Sequence, residues 1–263
     1  MEPKCTKKNY IERLQDLYDS SEYFVRLDQS SGRADYWDSS IDPDGVKRDI
    51  FQEFELWSSN NFELVELSFQ LSNLTHKNDK ILDYGSGPGY LFKNLIRLGL
   101  KDRNLYAFDK SDLAKASLVE LGVNLIKNEN LIKNNEFSFI IANHVIEHLE
   151  NPTKVFRTLV DALTPGGTII IGTPDFLSPS ALLFRERYRM LNEPTHIALF
   201  SQDSLLRMMR HYKLSIKSVT YPFWQSPYFE MSTFEKAINH RTQTASPPFP
   251  GNFLLAVGTK STN

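Results

Sequence analysis

A single cysteine, Cys5, among 263 residues excludes an intramolecular disulfide and any zinc site built from several thiolates, and fits a reducing compartment. No stretch reaches the ~18 uninterrupted apolar residues of a membrane-spanning helix. The N-terminal MEPKCTKKNYIERLQDLY has no apolar core of about 7 to 15 residues behind its charges, as a secretory signal would. Both observations predict a cytoplasmic protein with no membrane insertion. An excess of one charge is missing too. Lys plus Arg number 30 against 32 Asp plus Glu, a formal net charge of −2, which gives no general attraction to nucleic acid or anionic lipid. Internal repeats and low-complexity tracts are absent, which removes repeat architectures.

What is present is the composition of a soluble globular protein, 41% apolar, 12% aromatic and 24% charged. The length suits one α/β domain with additions. From Asn9 to His76 two runs have helical spacing: Ile11, Leu14, Leu17 and Tyr18, then Phe51, Phe54, Leu64, Val65, Leu67 and Leu71. Residues 1–76 are expected to be a helical extension, interrupted by a turn-rich stretch from Asp28 to Gly45. From residue 77 short apolar runs alternate with helical ones, the pattern of a doubly wound, mostly parallel sheet covered on both faces. Strands are predicted over Lys80–Tyr84, Leu105–Asp109, Asn124–Ile126, Phe137–Ala142, Thr168–Thr173, Leu214–Thr220 and Phe253–Gly258. Helices are predicted over Leu91–Leu98, Leu113–Leu121, Pro152–Leu163 and Ser201–His211. Asn151-Pro152 reads as an N-cap with a first-turn proline, and Thr164-Pro165-Gly166-Gly167 as a helix stop and tight turn.

The first strand runs into Asp83-Tyr84-Gly85-Ser86-Gly87-Pro88-Gly89-Tyr90 and then a helix. Glycines at such a turn let the backbone pass close to a nucleotide-like ligand. A dinucleotide fold needs a sixth-position glycine where this chain has Tyr90, and no G-K-[ST] closes the loop as in a Walker-type site. Asp109 ends the second predicted strand, 24 residues after Gly85, where a carboxylate can accept from both hydroxyls of a ribose. Asp83 stands where it can hold a cationic or amino-bearing ligand at the sheet's carboxyl edge. Taken singly, each acid also fits a helix cap or loop turn.

The motifs ILDYGSGPG, LYAFDKS, FSFIIANHVIEHLENP and LTPGGTIIIGTPD, in this order and spacing, resemble the class I S-adenosylmethionine-dependent methyltransferases from Lys80 to about Thr259. The resemblance implies a seven-stranded sheet whose last strand, Phe253–Gly258, inserts antiparallel beside the fifth. It implies that S-adenosyl-L-methionine is held by Asp83, Gly85, Ser86, Gly87 and Gly89 and by Asp109 with Lys110 at the ribose. Glu129 and Asn130 would then edge the adenine, and Asn143 would face the methionine end. Residues 174–200 and 221–252 become substrate-side insertions of the domain. Ser138 departs from the family, where Asp often stands.

After the fourth strand the chain reads His144-Val145-Ile146-Glu147-His148, and on a helical turn positions i, i+3 and i+4 share a face. His196 lies in a later loop that opens at the same sheet edge. His144, Glu147, His148 and His196 are therefore candidate ligands for a divalent metal, Mn, Zn, Fe or Co rather than Mg. The arrangement is similar to the Glu-x-x-Glu-His of metal-dependent small-RNA terminal 2′-O-methyltransferases and some ubiquinone-pathway O-methyltransferases, with His144 in place of the first Glu. Methyltransferases without metals also carry a Glu-His pair there, and in that case His148 or His144 serves as general base.

Arg185, Arg187 and Arg189 present guanidinium forks that suit an anionic substrate or a solvated face. The segment Tyr221, Phe223, Trp224, Tyr228, Phe229, with Phe234, suits either a lid over a ring or a cover for the sheet edge. The reading is an O-methyltransferase acting on a hydroxyl of a small molecule or sugar/glycan precursor. The alternatives are a small-molecule N-methyltransferase, an RNA-end 2′-O-methyltransferase, for which no basic domain is evident, and a non-catalytic cofactor-binding scaffold.

Overall fold

The predicted strands form because their apolar residues alternate between two helical layers. The computed structural model describes residues 24–25, 76, 78–100, 104–192, 196–221, 235 and 252–262. In chain order these give β1 (Phe24–Val25), β2 (Lys80–Tyr84), α1 (Tyr90–Arg97), β3 (Asn104–Phe108), α2 (Asp112–Glu120), β4 (Asn124–Leu125) and β5 (Phe137–Asn143). There follow α3 (Pro152–Ala162), β6 (Leu163–Pro174), α4 (Pro179–Phe184), α5 (Arg189–Asn192), β7 (Ala198–Leu199), α6 (Gln202–His211), β8 (Leu214–Thr220) and β9 (Phe253–Lys260). Seven strands make one sheet in the order β4-β3-β2-β5-β6-β9-β8, parallel except for β9, which runs antiparallel to both its neighbours.

Ile81, Ile141, Ile170 and Leu255 pack with Leu91, Phe92 and Leu95 of α1 and Leu118 of α2. The residues beside them in sequence, Leu82, Ile140, Ile169, Ile171 and Leu254, pack on the other face with Phe156 and Leu159 of α3 and Leu205 and Met209 of α6. A strand buried on both faces must be apolar at consecutive positions, which is why these runs do not alternate with polar residues. The helix starts follow from side-chain caps. Asn151 accepts from the Lys154 N–H before Pro152, Ser111 accepts from Ala114, and Ser201 and Ser204 cap each other reciprocally.

The stretch after α3 differs from expectation. The helix stops at Ala162, but Thr164-Pro165-Gly166-Gly167 is a bulge within β6 instead of a tight turn. The pairing jumps from Phe137 with Leu163 to Phe139 with Thr168, and the Thr164 hydroxyl donates to the Phe137 carbonyl at 3.2 Å. The backbone of β5 thus recruits residues that the sequence alone assigns to a turn.

Chain order reverses between β2 and β5, so their carboxyl ends open a crevice. Beyond β6 a smaller apolar cluster, Phe176, Ala181, Phe184, Tyr188, Leu191 and Leu199, packs under α4 and α5. The helical runs expected before residue 76 and the aromatic residues expected at 223–234 lie outside the described residues. Of the N-terminal extension, β1 is described, and it pairs antiparallel with β7. Among the described residues no helix is long and apolar enough to cross a membrane.

Candidate active site

The glycine loop is fastened to the strand beside it. Gly85 N–H and Ser86 N–H donate to the Phe108 carbonyl at 2.7 and 3.2 Å, and Gly87 N–H donates to Asp109 Oδ2 at 2.8 Å. Ser111 N–H donates to Asp109 Oδ1 at 2.8 Å. Each Asp109 oxygen is thereby braced by one amide and retains a lone pair for a ligand hydroxyl. Burial pushes the Asp109 carboxyl up, and these amide bonds pull against it. Gly85 has φ 74°, and a Cβ built on it would lie 2.4 Å from Val145 Cγ2. Glycine is required twice there, by the backbone and by the side chain pressed against it. Val145 belongs to the loop after β5, so this contact seats the cofactor half of the site directly against the histidine half.

Asp83 is 6% exposed and has no hydrogen-bond donor among the described residues. Burial, then the neighbouring charge of Asp109, pushes its carboxyl up to about 8. Glu129 is positioned by a residue that the sequence reading passed over. The Tyr84 hydroxyl donates to its Oε1 at 2.6 Å, and the Tyr84 ring stacks on Phe108 at 4.9 Å. Lys110 and Asn130 are exposed; Lys110 uses its carbonyl to accept from Lys115, and the Asn130 N–H caps back to Asn128. Asn143 ends β5, half-buried. Its Oδ1 and the Ser86 hydroxyl are enclosed with no hydrogen-bond partner among the described residues. Such groups cost about 1 to 3 kcal/mol when left unmet, and a polar ligand at this edge removes that cost. The tight glycine loop and these two orphaned groups fit an S-adenosyl cofactor.

In the other half, Glu147, His148 and His196 bring one ligand atom each within 4.8 Å of one another. Donors on a shared ion lie about 3 to 3.5 Å apart, given metal bonds of about 2.1 Å, so closure needs only a small inward movement. The helical-turn spacing does not hold. His144 has φ 55°, a left-handed conformation, and only Ile146–His148 form a 3₁₀ turn. His144 consequently lies outside the three-residue group and supports it: its Nδ1 is 3.2 Å from Glu147 Oε1, and its ring stands edge-on to Phe253. The Thr173 hydroxyl donates to Glu147 Oε2 at 3.1 Å. Burial alone would raise the Glu147 carboxyl. The His144 hydrogen bond and the charges of His148, His144 and His196 outweigh it and hold the group at about 2.

His196 arrives from a distant loop because Ile197 N–H donates to the Glu147 carbonyl at 2.8 Å. Its Nδ1 is 2.7 Å from the Met190 carbonyl, which can only accept, so Nδ1 carries a proton and Nε2 is the nitrogen left for a ligand. The ring centroids of His148 and His196 are 4.9 Å apart. Tyr84 and Thr173 lie within the quoted motifs and Met190 outside them, but the sequence gives none of the three its role, since each acts through a tertiary contact.

Residues 56–219 match the family described as methyltransferase domain. This chain belongs to that family. The seven-stranded sheet is that of the class I, S-adenosylmethionine-dependent kind. A ubiquinone biosynthesis O-methyltransferase from Shewanella pealeana is 30% identical over 101 residues, covering 36% of this chain and 43% of the relative. The matched stretch thus spans less than half the length of that relative. Among solved structures, a possible histamine N-methyltransferase from Thermotoga maritima has a TM-score of 0.52 at 18% identity, covering 80% of this chain and 96% of the other. An O-methyltransferase family protein from Burkholderia thailandensis has a TM-score of 0.55 at 16% identity, covering 98% of this chain and 70% of the other. At such identities the structural likeness shows the methyltransferase fold alone.

Proposed function

We propose that this protein is an S-adenosylmethionine-dependent O-methyltransferase for a hydroxyl of a small molecule or sugar precursor, with Glu147, His148 and His196 holding a divalent metal. The convergence of these three side chains beside the glycine loop carries the reading. The O-methyltransferase name of the Shewanella relative supports oxygen as acceptor. Two imidazoles and a carboxylate suit Mn, Zn, Fe or Co.

S-adenosylmethionine supplies a methyl carbon made electrophilic by positive sulfur. A divalent ion supplies Lewis acidity that lowers the pKa of an acceptor hydroxyl. The chain's own residues orient and enclose. Asp109, braced by two amides, takes the ribose hydroxyls. Asp83 takes the amino end, Glu129 stands beside the base, and Asn143 and Ser86 supply the polar groups that lack partners. His144 and Thr173 fix the two oxygens of Glu147, and the Met190 carbonyl fixes the tautomer of His196. In this reading the acceptor approaches from the side on which His196 stands. Orientation in a water-poor pocket then provides most of the acceleration.

The deciding experiment uses the full chain stripped with EDTA and assayed for methyl transfer to a panel of hydroxylated acceptors. Activity is expected to vanish and to return with Mn²⁺, and His196→Ala is expected to abolish the return while S-adenosylhomocysteine still binds. Full activity of metal-free protein would reject the metal and leave His148 or His144 as the base. Absence of S-adenosylhomocysteine binding by calorimetry would reject the whole reading.

A further inference from the structure

Gly172 lies inside β6, paired with Asn143 of β5 on one side and Leu255 of β9 on the other. It is not among the residues with positive φ, so its backbone conformation is open to any side chain. Glycine weakens the interior of a strand and marks a close approach by something else. What approaches is the Asn143 amide. A Cβ on Gly172 would lie 1.7 Å from Asn143 Oδ1, 2.9 Å from its Cγ and 3.3 Å from Leu255 Cδ1. The Asn143 side chain therefore lies across the neighbouring strand, in the space that any other residue at 172 would fill. Its carbonyl oxygen finds no partner there among the described residues.

Local folding alone does not account for this pairing, because a strand-forming residue at 172 and an apolar residue at 143 would pack without an orphaned amide. The next residue, His144, donates its N–H to the Gly172 carbonyl at 2.9 Å and hydrogen-bonds Glu147 through its ring. Gly172 thus sits where the cofactor half meets the histidine half.

We infer that Gly172 is a positioning residue of the cofactor pocket, its missing side chain letting the Asn143 amide lie across β6 and present its polar edge to the bound S-adenosyl ligand. The inference rests on the proposed cofactor and names a determinant whose role is set by the neighbouring strand rather than by its own motif.

The test is a double-mutant cycle on the full chain, read by calorimetry with S-adenosylhomocysteine and by thermal melting. Asn143→Ala is expected to weaken binding by about tenfold, the loss of one polar contact to a charged ligand. Gly172→Ala is expected to weaken it as much and to lower the melting temperature. In the Asn143→Ala background the added methyl is expected to do neither, since the atoms it displaces are gone. Unchanged affinity in Asn143→Ala would overturn the inference, as would losses from the two changes that simply add. If Gly172→Ala alone does not fold, the double variant and Asn143→Ala still decide: the double variant must fold and bind like Asn143→Ala. A wild-type protein that binds no S-adenosylhomocysteine removes the cofactor reading itself. Wild-type binding with an additive cycle removes only the role of Gly172.

Discussion

Asp83 is enclosed next to Asp109, and the two cannot both be charged cheaply at the end of one sheet. With its folded pKa raised to about 8, against an ordinary value of 3.8, Asp83 holds a proton through neutral pH that the unfolded chain has already released. The sign follows from linkage: the group favours the folded state fully below about 4 and loses that contribution as pH rises toward 8. The ligand-free protein is therefore expected to melt at progressively lower temperature across this window, and Asp83→Asn to flatten the slope. Binding an α-ammonium group reverses the preference, because the cation needs the carboxylate. Affinity for S-adenosylhomocysteine is expected to fall by up to about tenfold per unit as pH drops below 8, with release of a proton. Calorimetry in two buffers of different ionisation enthalpy measures that proton directly. A binding enthalpy that does not depend on buffer would assign Asp83 a structural role only.

At the scale of elements, the sheet and its helices were legible wherever burial dictates the pattern. Strands enclosed on both faces, β2, β5 and β6, read as continuous apolar runs, and the caps at Asn151 and Ser201 fix helix starts through local hydrogen bonds. The bulge at 164–167, the left-handed His144 and the Tyr84–Glu129 pair were not legible, because each depends on a partner far away in sequence. Gly172 offered a faint signal, a glycine within IIIGTP, whose meaning appears only once β5 lies alongside. Lys260 belongs to the same hidden class. From the end of β9 its ammonium donates to the carbonyls of Leu163 at 2.7 Å and Val160 at 2.9 Å, closing the C-terminus of α3, and to Asn135 Oδ1 at 3.1 Å. A cation there meets the negative end of the helix and the carbonyls left open by its last turn. Lys260→Met is expected to lower unfolding free energy by about 1 to 3 kcal/mol in urea titrations, with S-adenosylhomocysteine affinity unchanged. An affinity loss would mean that the α3 terminus transmits to the crevice.

At the scale of the whole molecule, the histidine site joins two separately packed regions. Glu147 and His148 leave the main sheet at β5, whose core lies against α3 and α6. His196 belongs to the stretch built around Phe176, Phe184, Tyr188 and Leu191. Between the two, the Ile197 N–H donates to the Glu147 carbonyl and so ties the second region to the first at the site. An ion bound by all three side chains is a crosslink between these regions, and a ligand that binds only the joined state stabilises it by mass action. Adding Mn²⁺ to the wild-type chain is therefore expected to slow amide hydrogen exchange across 176–199 and at 146–149, while α1 and α2 on the opposite face exchange as before. His196→Ala removes one anchor of the crosslink and should abolish protection at 176–199. S-adenosylhomocysteine alone should protect the glycine loop instead, since its proposed partners are Asp109, which braces Gly87, and the unpartnered Ser86 hydroxyl. Protection by Mn²⁺ that spreads evenly over the molecule, or that survives in His196→Ala, would place the ion somewhere other than between these two regions.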